Sequence, residues 1–159
     1  MTFPVPETLV RTSHSLTIVA NGVSIGLING WSPTSSRGIS PIYQIGTFIN
    51  RNPSGDPLEK VPGNVTGLTM AVQRYDLYTQ KMETAFGTPD LTMLSKQDRP
   101  FDIRERWQFP VDRGGGVEIL LYSGCWFSNI GKNYRSDGDR IVNVNATIEY
   151  TRKDVAQAA

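Results

Sequence analysis

The chain has 159 residues, 38% of them hydrophobic, and its 16 basic and 15 acidic side chains leave a formal net charge of +1. That size suits a single domain, which on folding buries about 70% of the surface its unfolded chain exposes; the charge balance excludes the basic excess through which dedicated nucleic-acid binders neutralise phosphate. The single cysteine, Cys125, excludes an intramolecular disulfide or a cysteine-based zinc site within one chain and points to synthesis in a reducing compartment.

The opening MTFPVPETLVRT carries two prolines and no basic-then-apolar order. It reads as an extended arm over residues 1–13, and as neither a signal peptide nor a membrane anchor. No apolar run reaches the roughly twenty residues that a bilayer-spanning helix needs. Two strands follow, over 15–20, where Leu16, Ile18 and Ala20 alternate with polar neighbours, and over 23–31. Asn21-Gly22 between them is a hairpin signal, because both central residues of a type I′ turn need positive φ. Residues 32–38 read as a polar loop, and 39–49 as a strand weakened by Pro41. Residues 50–63, NRNPSGDPLEKVPG, hold three prolines and two glycines and read as a long excursion.

Over 68–86 the hydrophobic period changes. Leu68, Met70 and Val72 share one face of a strand ending at Tyr75, with Thr69, Ala71 and Gln73 opposite. Leu77, Tyr78, Met82, Ala85 and Phe86 then line one side of a helix over 76–86, capped by Asp76 and stopped by Gly87 and Pro89. That apolar side is expected to cover the protein's own barrel. Residues 88–100 are irregular. Phe101, Ile103, Trp107 and Phe109 alternate with Asp102, Arg104, Arg106 and Gln108 in a strand over 101–109, and Glu105 on the apolar face requires a partner if buried. Gly114 to Gly116 turn the chain into a nearly continuous apolar strand over 117–127, as expected when both faces are covered. After a turn at Asp137-Gly138, a last strand over 140–152 sets Val142, Val144, Ala146, Ile148 and Tyr150 against Asn143, Asn145, Thr147, Glu149 and Thr151. About seven antiparallel strands and one helix predict a mainly β barrel or sandwich with a flanking helix.

Chemistry-bearing motifs are absent. His14 stands alone, without the acid and nucleophile of a triad. Cys125 lies in the most apolar strand with no adjacent base and reads as a buried, inert thiol. The triple glycine precedes a strand, whereas a phosphate cradle precedes a helix; Asp137 and Asp139 lack the remaining spacing of a calcium loop. Arg104 and Arg106 read as surface or intersubunit salt-bridging groups in preference to an anion site. Asn64-Val65-Thr66 and Asn145-Ala146-Thr147 match the glycosylation sequon but mean little without a secretion signal. The expectation is no enzymatic activity, no cofactor and no metal.

Four segments in order, QRYDLYTQKMETAFG (73–87), RPFDIRERW (99–107), LYSGCWFSNIG (121–131) and DGDRIVNVNATIEYTR (137–152), resemble the tail tube proteins of contractile-tailed bacteriophages, with the likeness running over 42–152. The resemblance implies a structural virion protein, made in the cytoplasm of the infected bacterium, that assembles into stacked homohexameric rings forming the inner tail tube. Neighbouring subunits' strands would join into one barrel around the lumen. Its implied partners are further copies of itself, the tail sheath protein, baseplate and tail terminator proteins, and a lumen holding the tape-measure protein and genomic DNA without sequence-specific binding. The tube of a phage-derived contractile injection system is the near alternative. A small-ligand-binding β-barrel, using Trp107, Tyr122, Trp126 and Phe127, is one of a different class; a small hydrolase has the least support.

Against that background Asn50, Arg51, Asp56, Glu59 and Lys60 in the long excursion are candidates for contacts between rings. The polar faces of two strands, Asn143, Asn145, Thr147 and Glu149 on one and Thr69 and Gln73 on the other, are candidates for lining the lumen.

Overall fold

The computed structural model describes residues 11, 15–25, 28–43, 57–78, 84, 86, 94–110, 114–134 and 141–157. Its strands are β1 (Leu16–Ala20), β2 (Val23–Ser24), β3 (Ile28–Ile42), β4 (Glu59–Tyr75), β5 (Phe101–Phe109), β6 (Gly116–Asn133), β7 (Asn143–Glu149) and β8 (Arg152–Gln157), with a short 3₁₀ turn at Leu94–Lys96. Seven strands follow the path β2-β1-β5-β6-β7-β4-β3, and β8 pairs with β6 off that path. Every pairing is antiparallel.

β6 divides the molecule. Its first half pairs with β5 on one edge and β8 on the other, forming with β1 and β2 a first sheet; its second half pairs with β7, which with β4 and β3 forms a second sheet. The change of sheet falls at Gly124, whose φ of 68° is left-handed and where the β5 register slips between Phe101 and Ile103. A Cβ there would meet Thr151 Oγ1 at 2.6 Å. The opposing chain bends at the same level, with Tyr150 N–H donating to Leu68 O and Thr151 N–H to Ser123 O. Strands that switch sheets through a bulge make such corners.

The corner folds the sheets onto a common core. Ile18, Ala20, Ile103 and Tyr122 from the first pack with Met70, Val72, Ala146 and Ile148 from the second. Phe86 is fully buried, 5.8 Å from the Phe101 ring and 5.6 Å from Phe127. Glu105 is buried and accepts hydrogen bonds from Trp107 Nε1 at 2.6 Å, Tyr122 OH at 2.8 Å and Trp31 Nε1 at 3.1 Å. The partner required of Glu105 is thus three donors, and because Trp31 belongs to β3 the carboxylate ties one sheet to the other. Burial, then the bond to Glu105, pushes the Tyr122 hydroxyl far above the ordinary tyrosine range. Arg74 is also buried, on the core face of β4; burial lowers its pKa, with Asp76 opposing.

β1, β5 and the inward face of β7 follow the sequence expectation, as does the Asn21-Gly22 turn with φ of 48° and 83°. Several elements differ. Residues 32–38 are not a loop but the middle of β3, and Glu59 to Gly63 belong to β4 instead of the excursion. There the strands form a two-stranded ribbon exposed on both faces, so no burial periodicity marks it; Thr34 Oγ1 instead donates to Thr69 O and Ser36 Oγ to Thr66 O. The strand expected over 39–49 is strand as far as Ile42, and residues 44–49 lie outside the described set. The strand expected over 23–31 is split where the chain steps between sheets, and that over 140–152 is split into β7 and β8 at the corner. Asp76 does not start a helix. Its N–H continues the ladder to Val142 O and its carboxylate pairs with Lys132 Nζ at 2.9 Å. Tyr78, expected on the barrel, is fully exposed. Thr84 is helical and Phe86 lies in a turn; the rest of the helix expected over 76–86, most of the 1–13 arm, His14 and the Asp137-Gly138 turn lie outside the described residues.

Two substitutions test the corner and the cross-sheet tie. Gly124→Ala should destabilise the protein by about 2 kcal/mol or more through left-handed strain and the Thr151 clash. Glu105→Leu, which strands the buried Tyr122 hydroxyl and two part-buried indole donors, should cost about 3 kcal/mol. Urea unfolding followed by tryptophan emission measures both; a loss below about 0.5 kcal/mol in either would refute the role assigned to that residue.

Candidate assembly surfaces

The ribbon built by β3 and β4 beyond the body of the second sheet is the first surface. It pairs Ser36 with Thr66, Arg37 with Val65, Ile39 with Pro62, Ser40 with Val61, Pro41 with Lys60 and Ile42 with Glu59. Register shifts between Thr34 and Ser36 and between Arg37 and Ile39 bend it, the first at Gly67, whose φ is 63° and where a Cβ would lie 2.5 Å from Ser36 Oγ. No third strand flanks it among the described residues. It nevertheless carries apolar side chains into solvent, with Leu58 70%, Ile39 59% and Val65 47% exposed. A lone two-stranded ribbon is at best marginally stable in water, and clustered exposed apolar side chains mark contact surfaces.

The second surface is the face of the second sheet turned away from the core. Cross-strand pairing sets Thr69 opposite Glu149, Ala71 opposite Thr147, Gln73 opposite Asn145 and Tyr75 opposite Asn143. β6 continues the rows with Trp126, Asn129, Gly131 and Asn133, and β3 with Gly30, Ser32 and Thr34. All six residues singled out from the two alternating strands therefore share one contiguous face, on which Glu149 is the single charge among these residues. Asn29 Nδ2 donates to Asn143 Oδ1 at its margin.

This second sheet also has two open edges among the described residues. One is the start of β3. The other is β6 beyond Phe127, since β5 accompanies β6 only to Cys125. Gln97, following the 3₁₀ turn, closes the junction: its Nε2 donates to Cys125 O and its Oε1 accepts from Phe127 N–H.

Of the residues expected between rings, Glu59 and Lys60 lie on the ribbon, while Asn50, Arg51 and Asp56 lie outside the described residues. Sequence periodicity missed Ile39, Val61 and Val65, although apolar residues interleaved with Pro41, Pro62 and Gly63 were a legible sign of an exposed, bent ribbon. Arg104 and Arg106 are exposed on the outer face of β5. Of the four aromatics of the ligand-barrel alternative, Trp107 and Tyr122 meet at Glu105, Tyr122 and Phe127 are core residues, and Trp126 is 40% exposed. A groove of about 410 Å³ lies elsewhere, between β1 and the start of β3, with Ile25 and Trp31 in its lining.

Cys125 is fully buried, and burial, aided by the Asp102 carboxylate, pushes its thiol up to about 12. Among the described residues no cluster of three or more His, Cys, Asp or Glu could hold a metal ion, and no helix is long and apolar enough to cross a membrane.

No family model matches the sequence, and no curated protein matches it. Solved structures do. The tube-terminating cap of the anti-feeding prophage superposes with a TM-score of 0.65 at 10% identity, covering 99% of this chain and 94% of that one. The sheath–tube complex of PVC, an extracellular contractile injection system, in its extended state gives 0.64 at 13% identity, covering 99% and 93%. The SPP1 tail tube gives 0.56 at 8% identity, covering 96% and 78%. The fold is that of tube and tube-terminator proteins.

The buried thiol gives a pH prediction. A thiol whose folded pKa is raised stabilises the fold fully below its ordinary value of 9.0, and that contribution is lost as pH rises toward about 12. Unfolding midpoints measured across this window should fall with pH, less steeply in Cys125→Ala, and native Cys125 should resist thiol reagents at pH 8. Rapid labelling of the folded protein would contradict the burial.

Proposed function

We propose that the chain is a non-enzymatic structural subunit of a tube, or of the terminator that ends one, in a bacteriophage tail or a related contractile injection system. The observation that carries this reading is the second sheet, which has one face buried, one face polar and, among the described residues, two open edges. Its strand order β6-β7-β4-β3 contains an even number of antiparallel strands, so the two edges run in opposite directions. Copies related by rotation can therefore join β6 to β3 and continue the antiparallel alternation around a ring, a β-augmentation that satisfies both edges.

In such a ring the first sheet lies outside and the polar face inside. Six copies, the number implied by the tail-tube resemblance, contribute twenty-four strands about 4.8 Å apart, a cylinder with a backbone diameter of about 37 Å or more once the strands tilt. Thr69, Gln73, Asn143, Asn145, Thr147 and Glu149 then line the passage. A wall of hydroxyls and amides with one carboxylate per copy presents no cationic stripe to hold phosphate, which suits a conduit through which genomic DNA passes into a host bacterium.

The ribbon, with Glu59 and Lys60 at the end away from the sheet body, reaches from one ring to the next. Stacked rings place the tape-measure protein and DNA in the lumen, a sheath around the first sheet, and baseplate and terminator at the ends. The subunit is made in the cytoplasm and ends in the virion. The ligand-barrel reading is weaker, because Tyr122 and Phe127 are packed into the core and Trp126 stands in solvent.

Replacing residues 36–66 with an Asn-Gly turn tests the reading. The body should remain folded, with unfolding free energy within about 1 kcal/mol of the parent, because the described residues of the ribbon are solvent-exposed. Electron microscopy should show rings without tubes. Global unfolding by circular dichroism, or tubes of normal length, would sink it.

A further inference from the structure

β4 leaves the ribbon, crosses the second sheet and ends at Tyr75, so the two ends of that sheet carry different chemistry. At the end opposite the ribbon, Tyr75 and Asn133 both stand across from Asn143, placing the ends of three strands in one row. Around that row the protein exposes Tyr78 fully, Tyr134 by 72%, Ile141 by 49% and Tyr75 by 38%. The backbone beneath is fixed, because Asp76 N–H donates to Val142 O and the Asp76 carboxylate holds Lys132 Nζ. Three exposed tyrosines and an isoleucine on a pinned strand end form a rim of rigid amphipathic groups. Such groups act as contact anchors because they bury large area at small entropic cost.

We propose that this tyrosine rim is the seat for the ribbon of a second copy of the chain, an inference that rests on the tube reading and specifies its axial contact. Both surfaces are apolar and solvent-exposed, and they lie at opposite ends of one sheet. A contact between unlike patches at opposite ends is heterologous and does not close on two copies, so each copy that seats a ribbon offers its own to the next. Contact between two ribbons would be self-complementary and would stop at a pair of rings. Ile42 and Val61 share one face of the ribbon, and seating them against Tyr78 and Tyr134 removes both apolar surfaces from water at once.

Site-directed cross-linking decides the matter, since the native Cys125 is buried and leaves introduced thiols as the reactive ones. Val61→Cys in one preparation and Tyr134→Cys in a second, size-tagged preparation are mixed, assembled and treated with a short bis-maleimide. The expected main product is the mixed-size dimer, and Tyr78→Ser/Tyr134→Ser in the parent should abolish long tubes while single rings persist. Tubes that form without the mixed product, a main product linking two Val61→Cys copies, or tubes of unchanged length in the tyrosine variant would each overturn the proposal. A chain that stays monomeric under every assembly condition overturns the tube reading together with it, whereas rings that stack without rim contact overturn the rim alone.

Discussion

One left-handed residue lets a single strand serve two sheets. Because β6 turns at Gly124 and the chain opposite turns at Tyr150 and Thr151, what would be one broad ribbon closes into two layers with a shared interior. Three consequences descend from that bend. The apolar faces of both halves meet and exclude water. β5 does not follow β6 past Cys125, so among the described residues the rest of β6 keeps an open edge. The outer face of the second sheet is left to present hydroxyls, amides, the Glu149 carboxylate and the rings of Tyr75 and Trp126 to solvent.

The interior is not wholly apolar. Glu105 and its three donors occupy a place where hydrocarbon would be simpler to bury. A buried carboxylate is worth its desolvation only when its lone pairs are met in fixed directions. Meeting them requires Trp31 of the second sheet to stand at one distance and angle from β5 and β6 of the first. The carboxylate therefore sets how the two layers align, which apolar contact alone, being non-directional, leaves loose.

How far the sequence disclosed this depended on burial. β5 was legible residue by residue, down to the acid at Glu105 on its apolar face, because one face is buried and the other wet, and a period of two records that contrast. The inward residues of β7 and of β4 from Leu68 onward were legible for the same reason, and so was the grouping of the polar positions now found together on one face. The ribbon was not, since residues such as Ser36 and Val65 see water on both sides and alternation has nothing to report. Asp76 misled because a helix cap and a strand-end carboxylate paired with Lys132 use the same residue type, and only the fold brings Lys132, 56 positions away, alongside.

The prolines of the ribbon bear on a hazard that any subunit with bare strand edges faces before it reaches its assembly. Pro41 on β3 and Pro62 on β4 each lack an N–H, so each opens a gap in the row of donors that a passing strand would otherwise engage. An unbroken apolar ribbon would template fibrils; one interrupted by prolines, two bends and the charges of Glu59 and Lys60 accepts contact through its side chains far better than through its backbone. On the tube reading proposed above, such a ribbon keeps copies from joining edge to edge until a partner shaped to fit it is met.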